Sequence, residues 1–293
     1  DVFIEQRRVA IIFLGIFMSN PLKFKQSIAY WCLAETEWKW NVEQICQLAV
    51  SLDMKSIELA PTETYSIIKK YQLTCALCCN GMPGAPFMKG LNNLKNHEEI
   101  LTRTKKSIDT ASEYGFPNVI AFVGYKWFNP EDPSSGEISI NECVENCIKG
   151  LRELSMYAAD KSVTICLEHL NTRDRSHPMK GHPGYQGDDI DLCANIVRRV
   201  NSPNVRLLFD IYHVHIMHGD VNKHLRDHHD IIGHIHTAGY PGRNELDGKQ
   251  DIYYSDIVTT IRKIGYNGYV GHEFIPTREP HDGFFAAKKI FDV

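Results

Sequence analysis

Four side chains able to do chemistry stand at the ends of apolar runs. Glu168 closes Ile165-Cys-Leu-Glu168 and Asp210 closes Leu207-Leu-Phe-Asp210. His236 closes Gly233-His-Ile-His236 and Glu273 closes Val270-Gly-His-Glu273. A carboxylate in an apolar run is costly unless it is paired or binds a cation. Taken singly, either glutamate reads as well as a salt-bridged strand end. Asp210 alone could cap the next loop, and His236 alone could be a core histidine. At one level of four successive strands, they read together as a site. Three carboxylates and one imidazole suit a single hard or borderline divalent ion, Mn²⁺, Mg²⁺ or Co²⁺. With no thiolate in the set, a structural zinc site is disfavoured.

Such a set needs a scaffold that brings strand ends to one rim. Eight short β-rich runs alternate with amphipathic stretches from Lys25 onward: Gln26–Cys32, Ser56–Leu59, Leu73–Cys79, Asn118–Val123, Val163–His169, Val205–Tyr212, Ile231–Thr237 and Gly268–Phe274. Helical spacing is expected over 41–52, 64–71, 96–114, 141–160, 188–200, 220–228 and 254–264. Ser139 and Glu142 form a capping-box signature, and Gly115 and Gly265 stand where helices should stop. Near-continuous apolar strands alternating with helices argue a parallel sheet covered by helices. Eight repeats argue an α/β fold closed into a (β/α)₈ TIM barrel, read as a single domain over residues 24–293. A doubly wound open sheet is the alternative, but no Gly-x-Gly-x-x-Gly follows the first strand. In a barrel of this kind, chemistry gathers at the C-terminal strand ends.

Residues 1–23 read as an N-terminal extension. Arg7-Arg8 and the apolar run Val9–Met18 resemble a signal segment, yet the run is too short to span a bilayer and lacks a clear small-x-small cleavage end. A cytoplasmic location is expected, with export as the alternative if residues 7–18 act as a signal.

The chain has 293 residues and a formal charge of −4, which argues against nucleic-acid binding by bulk electrostatics. No membrane segment is expected. The nine cysteines, including Cys75, Cys78 and Cys79, read as buried thiols in a reducing compartment. Eight of the 14 histidines crowd between His213 and His236. His224 and His228 would share a helical face as a metal pair does. Asp227 and Asp230 among them favour a solvated polar helix instead. Trp31 and Trp127 read equally as pocket walls or as core or surface packing.

The runs Leu167-Glu-His-Leu-Asn-Thr-Arg-Asp174, His182-Pro-Gly-Tyr185, Phe209-Asp-Ile-Tyr-His213, Gly233-His-Ile-His-Thr-Ala-Gly-Tyr-Pro-Gly-Arg-Asn-Glu245 and Gly268-Tyr-Val-Gly-His-Glu-Phe274 resemble the hydroxypyruvate isomerase family. That family lies within the xylose-isomerase-like TIM-barrel sugar isomerases and epimerases, and the resemblance covers roughly residues 25–280. It implies that Glu168, Asp210, His236 and Glu273 hold the metal and that Glu168 and Glu273 are also the acid/base pair. It further implies that His213 and Arg243 contact substrate. His236 stands where bacterial members carry Gln and resembles the ketose epimerases, so both substrate classes stay open.

The chemistry implied is proton transfer beside a carbonyl, interconverting a small hydroxy-ketone and a hydroxy-aldehyde through an enediolate. Hydroxypyruvate and tartronate semialdehyde are the first expectation, and a ketose 3-epimerase or another sugar or sugar-phosphate isomerase or epimerase of the same superfamily is the alternative. His213 and Arg243 would stabilise oxyanion charge or grip a carboxylate, Arg243 by a two-toothed contact, with a plain loop cation in Pro241-Gly-Arg-Asn244 as the alternative for Arg243. A dehydratase, a non-catalytic relative and a hydrolytic nuclease on the same scaffold are competing readings. The expected partner is a small hydroxy-carbonyl molecule, with a homo-oligomer allowed.

Overall fold

The computed structural model describes residues 24–292. The extension read over residues 1–23, with its signal-like run, lies outside the described residues. Eight parallel strands run in the order β3-β2-β1-β10-β9-β8-β7-β4. They are β1 (Lys25–Ala29), β2 (Ser56–Glu58), β3 (Thr74–Cys75), β4 (Asn118–Phe122), β7 (Thr164–Glu168), β8 (Val205–Asp210), β9 (Ile232–Thr237) and β10 (Tyr269–His272). A parallel bridge between Cys78 and Val119 joins the two outer strands. It is made by Cys78 N–H donating to Asn118 O at 2.8 Å and Ile120 N–H donating to Cys78 O at 2.9 Å. The ring therefore closes, and the expected TIM barrel is found.

Helices cover the strands. They are α1 (Trp31–Ala34), α2 (Val42–Ser51), α3 (Tyr65–Lys70), α4 (His97–Tyr114), α5 (Ile140–Asp160), α6 (Ile190–Val200), α7 (Ile211–His218), α8 (Val221–Asp227), α9 (Tyr254–Lys263) and α10 (Pro280–Phe291). The capping box forms as expected: Ser139 accepts from Glu142 N–H while Glu142 reaches back to Ser139 N–H. Gly115 and Gly265 sit at φ 69° and 73°, the left-handed stops that glycine takes without a Cβ clash. No helix among the described residues is long and apolar enough to cross a membrane.

Several boundaries differ from expectation. Trp31 and Cys32 belong to α1, not to the first strand. The sixth strand stops at Asp210, two residues short of Tyr212, because that side chain accepts from His213 N–H at 3.1 Å and opens α7, where no helix was expected. The apolar run over 73–79 keeps only Thr74–Cys75 as strand, with Cys78 bridging alone. A polar hairpin, β5 (Trp127–Asn129) with β6 (Asp132–Glu137), had no alternating pattern to announce it. All nine cysteines are free, and all but Cys79 are buried, as expected of plain thiols.

The solvated reading of the region around α8 does not hold. His224 and His228 are only 7% and 4% exposed, because α8 turns that face inward while Asp227 and Asp230 point out to Lys223 and Arg198.

Candidate active site

Register carries the four expected residues to one level. Asp210 pairs with His236 across β8 and β9, and Gly271 pairs with His236 across β9 and β10. Glu168 is the last residue of β7, and Glu273 directly follows β10. Ligand atoms of Glu168, Asp210, His236 and Glu273 all lie within 4.8 Å of one another, and all four residues are buried. His236 Nδ1 stands 3.0 Å from Glu273 Oε2, 3.5 Å from Glu168 Oε1 and 3.9 Å from Asp210 Oδ2. None of these contacts has hydrogen-bond geometry, so Nδ1 is a buried nitrogen without a partner.

The other ring nitrogen explains the orientation. His236 Nε2 donates to Glu58 Oε1 at 2.6 Å, and His234 Nε2 donates to the same oxygen at 3.0 Å. His234 and His236 are two apart on one strand, so both face the barrel interior. Glu58 ends β2 and crosses the barrel to reach them. The crossing depends on Gly271, where a Cβ would overlap the Glu58 carboxylate. Burial would raise the Glu58 pKa, but the two imidazoles outweigh it and hold the carboxyl well below the usual range. With its proton on Nε2, His236 turns the Nδ1 lone pair to the three carboxylates, as a metal-ligating histidine does.

Charge balance points the same way. Burial, with Glu273 and Asp210 nearby, pushes the Glu168 carboxyl up to about 7 against the pull of His236. Burial also raises Glu273, but Arg243 and His236 outweigh it and hold that carboxyl at about 2. Asp210 is raised, chiefly by burial. Burial disfavours a charged His236, yet Glu273, Glu168 and Glu58 outweigh it and drive its pKa well up. The cluster thus asks for a positive charge at Nδ1, and a divalent ion there satisfies the orphaned nitrogen and the carboxylates together. The donor set fits the ion expected from sequence.

Arg243 is no surface loop cation, being 2% exposed. Its guanidinium lies between the rings of Trp31 and Tyr212, at 5.3 and 5.5 Å from their centroids. Nη2 donates to Asp210 Oδ2 at 3.3 Å and to Glu273 Oε2, while Nη1 donates to Met179 O at 2.7 Å. Nε is a buried donor without a partner. The two-toothed fork expected of Arg243 is thus already engaged at both Nη atoms by Asp210, Glu273 and Met179. The residue is held at φ 55°, a conformation that costs a non-glycine residue about 1 kcal/mol or more. Bonds between Gly239 and Asn244 and from Ile275 N–H to Arg243 O pin the loop in that shape.

His213 Nδ1 accepts from Asn171 N–H at 3.1 Å and lies 2.7 Å from Asn171 Nδ2. The ring proton is then on Nε2, which has no hydrogen-bond partner and stands 3.6 Å from Asp210 Oδ2. Burial holds the His213 pKa well below its ordinary value, so the ring is a neutral donor. Above these groups opens a cavity of about 380 Å³, walled by Trp31, Phe87, Phe122, Met179 and His182 and reaching Glu168, Glu273 and Arg243. Trp31 is both wall and support, since Nε1 donates to Glu273 Oε1 at 2.7 Å. Trp127 does not line this cavity; it packs edge-on to Tyr125 with centroids 5.7 Å apart.

A closed parallel barrel with this cluster at its C-terminal strand ends defines a (β/α)₈ protein whose polar site lies in the barrel mouth. Residues 43–289 match the family described as xylose isomerase-like TIM barrel, and the chain belongs to that family. A candidate hydroxypyruvate isomerase of Xenopus laevis is 35% identical over 179 residues, 61% of this chain and 62% of the relative. The 2-oxo-tetronate isomerase of Cupriavidus necator is 33% identical over 134 residues, 46% of this chain and 48% of the relative. Matches to the curated relatives thus span about half of their length. Among solved structures, a family 2 AP endonuclease from Brucella melitensis superposes with a TM-score of 0.75 at 23% identity. That likeness covers 90% of this chain and 98% of the other, and it speaks for the fold alone.

Glu58 escaped the sequence reading, which followed only the later four strand ends. A signal was present: a carboxylate inside the short apolar run Ser56-Ile-Glu-Leu-Ala60. Glu58→Gln should weaken divalent-ion binding by about 10–100-fold, as loss of such a supporting carboxylate does. Calorimetric ion titration checks this, and unchanged affinity would show that His236 needs no such anchor.

Proposed function

We propose that this chain is a metal-dependent isomerase of a small hydroxy-carbonyl compound, most simply one interconverting hydroxypyruvate and tartronate semialdehyde. The observation that carries the reading is the buried convergence of Glu168, Asp210, His236 and Glu273, with His236 Nδ1 unpartnered at its centre. The named isomerases among its relatives support the same reaction class.

Glu168, Asp210, His236 and Glu273 would hold one divalent ion, Mn²⁺, Mg²⁺ or Co²⁺. When bound, that ion supplies the Lewis acidity that makes a C–H beside a carbonyl acidic enough to lose. One of Glu168 and Glu273 removes that proton, and the other carboxyl delivers a proton to the neighbouring carbon. Trp31 fixes the Glu273 carboxylate through Oε1. Arg243 Nε and His213 Nε2–H are buried donors without a partner beside the cluster, where they would stabilise negative charge developing on substrate oxygen. The apolar walls exclude water, which strengthens each of these contacts.

A second reading has one observation in its favour. A cavity of about 380 Å³ falls in the range that holds drug-sized ligands and leaves room beyond three carbons. A longer oxo-acid such as 2-oxo-tetronate, or a free ketose undergoing epimerisation, would use the same proton transfers. Free thiols throughout support a reducing, cytoplasmic setting. The partner is the small-molecule substrate, with no nucleic acid or membrane, and self-association is compatible with the reading.

Proton-exchange NMR in heavy water tests the proposal. The panel is hydroxypyruvate, tartronate semialdehyde, 2-oxo-tetronate and free ketoses. Deuterium should enter at the carbon beside the carbonyl of at least one compound, together with its isomer or epimer. No exchange on any of them, with metal supplied, would overturn the assignment.

A further inference from the structure

A second group of ligand-type side chains lies outside the barrel mouth, between the first turn of α6 and the end of α8. Atoms of Asp191, His224 and His228 come within 4.8 Å of one another. His228 Nε2 is 2.8 Å from Asp191 Oδ1, and His224 Nδ1 is 3.8 Å from the same oxygen. The His224 side chain is 9% exposed, yet Nδ1 has no hydrogen-bond partner. An imidazole nitrogen taken from water and left unpaired is destabilising unless something binds it.

We propose that Asp191, His224 and His228 form a second metal site, for a borderline divalent ion of the zinc class. Two imidazoles and a carboxylate select such an ion over Mg²⁺ or Ca²⁺, whereas the carboxylate-rich barrel mouth suits the harder ions. Tetrahedral zinc with bonds of about 2.0–2.1 Å sets its ligand atoms roughly 3.3 Å apart. The two separations to Asp191 Oδ1, 2.8 and 3.8 Å, straddle that value, and ligand atoms of all three residues lie within 4.8 Å of one another. His224 and His228 are four residues apart, and their rings lie 24° from parallel with centroids 6.0 Å apart. Both rings can therefore turn an edge to one ion. The Asp191 side chain is 63% exposed, which leaves an entry path and room for water as a fourth ligand.

Arg198 opposes loading. Its Nη1 lies 3.3 Å from His228 Nδ1, while Nη2 donates to Asp227 O at 2.9 Å and Asp230 Oδ1 at 2.8 Å. An ion on Nε2 moves the ring proton to Nδ1, and Nη1 must then give way. Loading ties α8 to the start of α6, so the ion acts on the barrel's outer layer rather than on the reaction.

Zinc titration of the full chain by calorimetry tests this, with melting temperature followed in parallel. His224→Ala and Asp191→Asn should each remove one equivalent of Zn²⁺ and its share of the thermal stabilisation, while turnover stays at the parent level. Arg198→Ala should bind that equivalent several-fold more tightly. Unchanged stoichiometry and affinity in His224→Ala and Asp191→Asn would overturn the site. Should His224→Ala fail to fold, the exposed Asp191→Asn variant and the tightening in Arg198→Ala decide the matter. Weaker binding in Arg198→Ala would also count against it, because Arg198 would then support the ion.

Discussion

Glu168→Gln and Glu273→Gln should each lower turnover by about 10²–10⁴-fold, the range of a lost general acid or base, and by more if metal binding also suffers. Glutamine keeps the shape and one oxygen ligand but cannot take up a proton. Asp210 is committed differently: one oxygen caps α7 through His213 N–H, and the other faces the cluster. His236 is anchored through Glu58 and presents only a lone pair. His236→Gln should therefore be milder than either glutamate change. Solvent-deuterium exchange at the substrate carbon separates the roles. Exchange at the parent rate in one glutamine variant, with metal bound, would show that glutamate is not the base for that position. Parent-rate exchange in both would end the two-carboxylate mechanism. His213 would be a poor replacement, since Asn171 occupies its Nδ1 and burial keeps it neutral with its proton on Nε2.

Removal of divalent ions should abolish activity, and Mn²⁺ or Mg²⁺ should restore it. Three buried carboxylates face one guanidinium and one imidazole, so the cluster is short of positive charge without an ion. Ion binding to the folded chain alone should also raise its thermal stability, by about 2.7 kcal/mol at a hundred times the dissociation constant. Turnover and melting temperature, measured after chelation and again after each ion is returned, check both effects. Full turnover after exhaustive chelation would overturn the ion-binding role of the cluster. The stabilisation should shrink in Asp210→Asn, whereas loss of the second zinc equivalent in Asp191→Asn should leave restoration by Mn²⁺ intact.

The eight strands and the four residues at their ends were legible in the sequence for one physical reason. Strands buried on both faces read as continuous apolar runs, and a charged residue closing such a run stands out. Parallel strands closed in a ring then place those ends at one rim. Local capping was legible too, because Ser139 with Glu142 and Gly115 act within one helical turn. Contacts made across the barrel were not. Glu58 reaches His234 and His236 over 176 and 178 residues of chain, through a gap left by the missing side chain of Gly271. No spacing along the sequence encodes that meeting. Arg243 was read as a free fork, yet a pinned left-handed turn feeds it between Trp31 and Tyr212, where two of its three nitrogens are already bonded. Likewise, the charges beside His224 and His228 read as a solvated helix, and only packing of α8 against α6 buried those rings beside Asp191. Periodicity and residue type determined which strands form and which groups end them. Which hydrogen-bond partner each group takes was decided by tertiary structure, because the partner lies on another strand or helix far along the chain.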